Sequence, residues 1–98
     1  MLSSGSYHPE FMFYVYLITN GQKIYTGFTV DLKHRIAEHN SGKNFSTKGC
    51  SNWQLLYYEA HTDKKDAYRR EKYLKTTYGK RAIKRMLTEA LNKKKNLQ

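Results

Sequence analysis

The chain has 98 residues, of which 39% are hydrophobic and 27% charged, and it carries a formal net charge of +10 at pH 7. That length holds one domain with a thin core, since a chain of this size buries only about 60% of the surface it exposes unfolded. One cysteine, Cys50, excludes a disulfide framework and a cysteine-built zinc cluster, and the longest apolar run, residues 11–18, falls short of the roughly 18 residues of a membrane span.

Residues 1–11 hold Ser, Gly and Pro and read as a disordered leader, with Met12 as a candidate start of the domain. Nothing basic precedes the apolar run and no small-residue cleavage site follows it, so a cytoplasmic protein is expected. Residues 13–19 are β-branched and aromatic, as are most of residues 23–28, and Asn20-Gly21 lies between them. Asn-Gly between two such runs predicts a type I′ hairpin, because that turn needs positive φ at both central positions. A two-residue loop would pair Thr19 with Gln22, Leu17 with Ile24 and Tyr16 with Tyr25. Tyr14, Tyr16, Tyr25 and Gly27 then share one face, and Val15, Leu17 and Ile24 form the core face.

Asp31 can cap a helix running to about Asn40, with Leu32, Ile36 and His39 on one stripe and Arg35 beside it, one turn from His39. Ser41-Gly42-Lys43 ends that helix, residues 44–52 read as a polar loop, and residues 53–60 as a third strand. Thr62 or Asp63 caps a second helix to about Tyr78, with Gly79 as its C-terminal stop. A third helix places Ile83, Met86, Leu87, Ala90 and Leu91 at helical spacing, and residues 92–98 read as a basic, frayed tail. The expected fold class is α/β: a single domain over residues 12–91 with a three-stranded antiparallel sheet flanked by three helices, in the order β-β-α-β-α-α.

The charge is unevenly placed. Lys23, Lys33, Arg35, Lys43 and Lys48 balance Glu10, Asp31, Glu38, Glu59 and Asp63 in residues 1–63, so residues 64–98 hold the whole excess. Thirteen Lys and Arg stand there against Asp66, Glu71 and Glu89. Such a block attracts a polyanion, and nucleic acid is the expected partner; a solvated helical face kept basic for solubility is the plainer reading.

Glu71 has Ala67, Leu74 and Tyr78 at −4, +3 and +7, which sets it within the apolar stripe of its helix. A carboxylate there needs a cation, either a metal ion or a salt-bridge partner such as Arg70 or Lys75. The tyrosine pair likewise could be a simple cross-strand contact. Cutting a phosphodiester needs an activated water, a cation on the developing phosphorane charge and help for the leaving oxygen. Two tyrosines, an arginine, a histidine and one isolated carboxylate can supply these, and a single carboxylate favours one metal over two.

Tyr14-Val15-Tyr16 followed by Tyr25-Thr26-Gly27 resembles the paired tripeptides of the GIY-YIG nuclease family. Asp31-Leu32, Arg35, His39, Asn40-Ser41-Gly42-Lys43, the segment WQLLYYE, and Ala67 with Arg70-Glu71 and Leu74-Lys75 extend the likeness over residues 12–91. The small stand-alone bacterial members are most similar, and these resemble the N-terminal nuclease domain of the excision-repair incision protein. The resemblance implies that Tyr16 and Tyr25 flank the scissile phosphate and attacking water. It implies that Arg35 stabilises phosphate charge, that His39 relays a proton or positions a tyrosine, and that Glu71 is the sole metal-binding carboxylate, for Mg²⁺ or Mn²⁺. Gly27 matches the glycine that lets backbone approach the site. The first tripeptide departs from the pattern, with Tyr14 in the place of glycine.

The expected function is metal-dependent hydrolysis of DNA phosphodiester bonds, as in DNA repair. Lys43, Arg70, Lys75, Lys80, Arg81, Lys84 and Arg85 are expected to hold the DNA. No membrane or small-molecule cofactor is expected, and a double-strand break would need a weak homodimer or two visits. The alternative is a catalytically silent nucleic-acid-binding module that uses its tyrosines for stacking.

Overall fold

The computed structural model describes residues 11–42 and 52–96, so the leader 1–10, Lys43, Cys50 and most of the loop at 44–52 lie outside the described residues. Strands β1 (Phe13–Thr19), β2 (Ile24–Thr29) and β3 (Gln54–His61) form one antiparallel sheet in the order β2-β1-β3. Helix α1 (Leu32–Asn40) follows the hairpin, and α2 (Lys64–Leu74), α3 (Thr77–Met86) and α4 (Thr88–Asn96) follow β3. This is the expected three-stranded α/β domain, with the last helical region divided further than predicted. No helix among the described residues is long and apolar enough to cross a membrane.

The hairpin register differs from the one predicted. Tyr16 pairs with Gly27 and Ile18 with Tyr25, because the loop spans four residues instead of two. Asn20 causes this through its side chain: its Oδ1 accepts from the backbone N–H groups of Gln22 and Lys23 at 3.0 and 2.8 Å. The Thr19 hydroxyl closes the loop by donating to the Lys23 carbonyl and accepting from the Gly21 N–H. Gly21 takes φ +95°, but Asn20 stays out of the left-handed region, so a type I′ turn does not form. The shift is two residues, and an even shift keeps every side chain on its predicted face.

Central strand β1 supplies both cores by alternation. Val15 and Leu17 pack with Ala67, Leu74 and Ile83 beneath α2 and α3. Tyr16 and Ile18 pack with Trp53 beneath α1, where Leu32 and Ile36 lean in. Ile24 faces the first core but stays exposed at the sheet edge.

The α2 boundary also corrects a prediction. The helix ends at Leu74, and Thr76 caps α3 by accepting the Gly79 N–H at 3.0 Å. Gly79 is therefore inside α3 and buried, not a helix stop, while Tyr78 is 71% exposed and leaves the Glu71 stripe. The predicted third helix breaks at Leu87 into α3 and α4, and α4 runs to Asn96.

Candidate active site

Tyr16 projects from β1 across the neighbouring edge strand. Gly27 sits directly opposite, and the Tyr16 ring occupies the space a Gly27 side chain would fill: a Cβ there would overlap Tyr16 Cζ and the hydroxyl. The buried hydroxyl lies 2.7 Å from Nε2 of His39. Tyr25, diagonal to Tyr16 with ring centroids 6.3 Å apart, covers the other side of the imidazole at 4.9 Å. The two signature tyrosines thus share a face and a histidine without being direct cross-strand partners.

Helix α1 brings His39 there because Asp31 caps it, accepting from the His34 N–H, and because its last turn is stapled to Trp53, the residue just before β3. Asn40 makes the staple: Nδ2 donates to the Trp53 carbonyl at 3.0 Å and Oδ1 accepts from the Trp53 N–H at 2.6 Å. Trp53 then packs on the imidazole at 6.5 Å between centroids. Asn40 and Trp53 hold His39 in place, where the sequence suggested only the last residue of a helix and the first of a strand. An asparagine after the last stripe residue was the available signal.

Arg35 stands one turn before His39. Its Nε is buried, makes no hydrogen bond among the described residues, and lies 3.5 Å from Glu38 Oε1. Glu71 is mostly covered and holds Lys75 at 3.1 Å through the i, i+4 geometry of α2. That helix lies on the Val15–Leu17 side of the sheet, so Glu71 comes from the face opposite α1 and not from the tyrosines' own face as expected.

The site's charges reach the Tyr16 hydroxyl. Burial pushes the Tyr16 phenol well above its ordinary range, the neighbouring Tyr25 and Glu71 add to this, and Arg35 opposes it. Burial also lowers His39 below its ordinary 6.5, and Arg35 lowers it further. At neutral pH the pair is a phenol and a neutral imidazole.

Residues 12–85 match the family model described as the GIY-YIG catalytic domain. The chain belongs to the GIY-YIG family. It is 40% identical over 77 residues to a UPF0213 protein of Pediococcus acidilactici, covering 76% of this chain and 78% of that one. It is 42% identical over 66 residues to a UPF0213 protein of Lacticaseibacillus paracasei, covering 66% and 73%. A solution NMR structure of a UPF0213 protein from Bacillus halodurans is 30% identical and covers 76% of this chain and 84% of that one, with a TM-score of 0.49. The match to a small stand-alone GIY-YIG type is as the tripeptides suggested.

The basic residues expected to hold nucleic acid divide into groups in this GIY-YIG domain. Arg70 is committed to Glu59, with Nε 3.0 Å from Oε2, in a cluster where Tyr57 and His61 also bond that carboxylate. Burial works against ionisation of Glu59, yet the bonds from His61 and Tyr57 and the charge of Arg70 hold it below its ordinary value. Lys75 serves Glu71. Arg81 lies over the Tyr78 ring at 5.8 Å. Lys80 and Lys84 line a groove beside β2, and Arg85 is exposed near the end of α3.

Gly27→Ala tests the close approach. The new methyl would force the Tyr16 ring off His39, and on the nuclease reading proposed below a displacement near 1 Å there costs on the order of a hundredfold in cleavage rate. Kinetics of the variant should show that loss, with the circular dichroism spectrum unchanged.

Proposed function

We propose that the protein is an endonuclease that hydrolyses DNA phosphodiester bonds. The observation that carries this reading is the buried 2.7 Å contact between Tyr16 and His39, within reach of the Arg35 and Glu71 charges, in a GIY-YIG domain. Tyr16 O–H donates to Nε2 of the neutral imidazole. As an attacking water approaches phosphorus, its proton passes to the Tyr16 oxygen while Tyr16's own proton passes to His39. Tyr16 thus acts through His39 and needs no tyrosinate, which burial disfavours. Arg35, with its unspent donors, balances the charge that develops on the phosphorane oxygens. Tyr25 holds the imidazole from the other side and orients the water or phosphate with its hydroxyl.

Among the described residues no three His, Cys, Asp or Glu side chains cluster as metal ligands. A lone carboxylate still fits a hard cation, because Mg²⁺ keeps most of its waters and is held by one or two carboxylates together with substrate phosphates. Glu71 would hold Mg²⁺ or Mn²⁺, displacing Lys75, and the ion would supply Lewis-acid stabilisation of the phosphate.

Labelled duplex, single-stranded, flap and branched DNA incubated with Mg²⁺, Mn²⁺ or EDTA tests the reading. Cleavage that requires the metal is expected. Salt-sensitive binding without cleavage under any condition would replace it with a binding module.

The state of His39 also sets a pH dependence. Its folded pKa lies below the unfolded value, so its contribution to stability is fully present above about pH 6.5 and is lost as pH falls below that toward the folded value. Cleavage should fall in the same direction, since the imidazolium cannot accept the Tyr16 proton. Thermal melts and rates between pH 8 and pH 5 should show both slopes. His39→Gln should remove the stability slope.

A further inference from the structure

A groove of about 430 Å³ runs along the β2 edge beside the site. Its exposed aliphatic surface is Ile24, set over the buried Leu74 and Ile83 of the core, and its rim carries Lys75, Lys80 and Lys84. It joins the site at Tyr25, whose ring flanks His39, and at Lys75, whose ammonium meets Glu71. The ammonium groups alone would serve a passing phosphate backbone. The aliphatic surface would not, because a phosphodiester has no use for it, and Ile24 nonetheless stays 41% exposed there. In a paired duplex the bases face their partner strand and could not reach that surface.

The volume falls in the range of small-ligand pockets, and the apolar surface with a cationic rim matches a single nucleotide. Gln22, at the groove wall, adds an amide that can both donate to and accept from a base edge. We propose that the groove seats an unpaired nucleotide of the substrate strand, next to the phosphate being cut. Its base lies on Ile24, and its phosphate lies among Lys75, Lys80 and Lys84. The proposal rests on the nuclease reading and narrows it to strands that are single or splayed at the cut.

Binding in EDTA of two labelled oligonucleotides of equal length, one of thymidine and one wholly abasic, tests it by fluorescence anisotropy. They carry the same backbone charge, and only one has bases. The wild type should bind thymidine about tenfold more tightly, the ratio expected for one base-sized apolar contact. Ile24→Thr keeps a β-branched residue in an exposed strand position and should bring the ratio to within about twofold, leaving abasic binding unchanged. Lys80→Gln with Lys84→Gln should weaken both oligonucleotides alike and flatten the salt dependence. Equal affinity for the two in the wild type, or a ratio untouched by Ile24→Thr in a variant that melts normally, would overturn the groove assignment. Cleavage with Mg²⁺ is scored separately. Loss of the base ratio with cleavage intact defeats the groove alone, and a base ratio without cleavage of any substrate defeats the nuclease reading alone.

Discussion

Glu71→Gln is expected to lower cleavage by about a thousandfold while shifting Tm by no more than about 4 °C. The substitution keeps shape and hydrogen-bonding capacity and removes the charge that would hold a cation. Its structural cost is small because the partner it loses, Lys75, has a half-exposed side chain on the same helix. An i, i+4 pair of that kind contributes only about 0.3–0.5 kcal/mol. Melts with and without Mn²⁺ complete the test: the wild type should gain stability from the ion and the variant should not. A large loss of Tm in the variant, equal with and without metal, would instead make Glu71 a structural clamp.

The largest effect on stability is expected from Gly79→Ala. Helix propensity alone favours alanine by about 1 kcal/mol, so an unhindered site would be stabilised. Here the added methyl would meet the Tyr73 carbonyl oxygen and the Leu74 Cα, which are backbone atoms of the last turn of α2. Backbone cannot swing aside as a side-chain tip can, so α3 must lift from α2 and open the core around Leu74 and Ile83. Overpacking of this kind reaches about 3 kcal/mol, leaving a net loss near 2 kcal/mol and a Tm lower by about 10 °C. A stabilised variant would show that the two helices do not meet this closely.

Gly79 also shows where sequence reasoning stopped. Glycine after a helical run reads locally as a stop, but the real signal was Thr76, whose hydroxyl starts a new helix three residues earlier. The strands were legible because alternation along β1 is strong, and the faces survived a wrong register because the error was even. What chose the loop was the Asn20 side chain bonding its own neighbours, a local competition that a dipeptide rule does not weigh. Alternation put Tyr16 and Tyr25 on one face and helical spacing put His39 on the α1 stripe, but it was the resemblance that joined them into a set, and the structure brings the three side chains together. That Arg70 would be spent on Glu59 was not readable, since nothing local sets β3 beside α2. The Asn40 staple was hidden for the same reason, because its partner, Trp53, lies across a loop.

His39 is the one buried residue of α1. The helix that carries it has no fully buried aliphatic anchor, whereas Tyr16 belongs to the central strand, paired on both sides. The two ends of the 2.7 Å contact therefore sit in parts of the molecule with different resistance to local opening. Amide hydrogens along β1 should exchange only in near-global unfolding, while those of α1 should be released by smaller excursions. Such an excursion lifts the imidazole and the Arg35 guanidinium together and leaves both tyrosines on the sheet. The centre is then a fixed half and a half that docks, and the rarity of the undocked state, measurable by exchange, sets how often the assembled arrangement exists before any strand arrives.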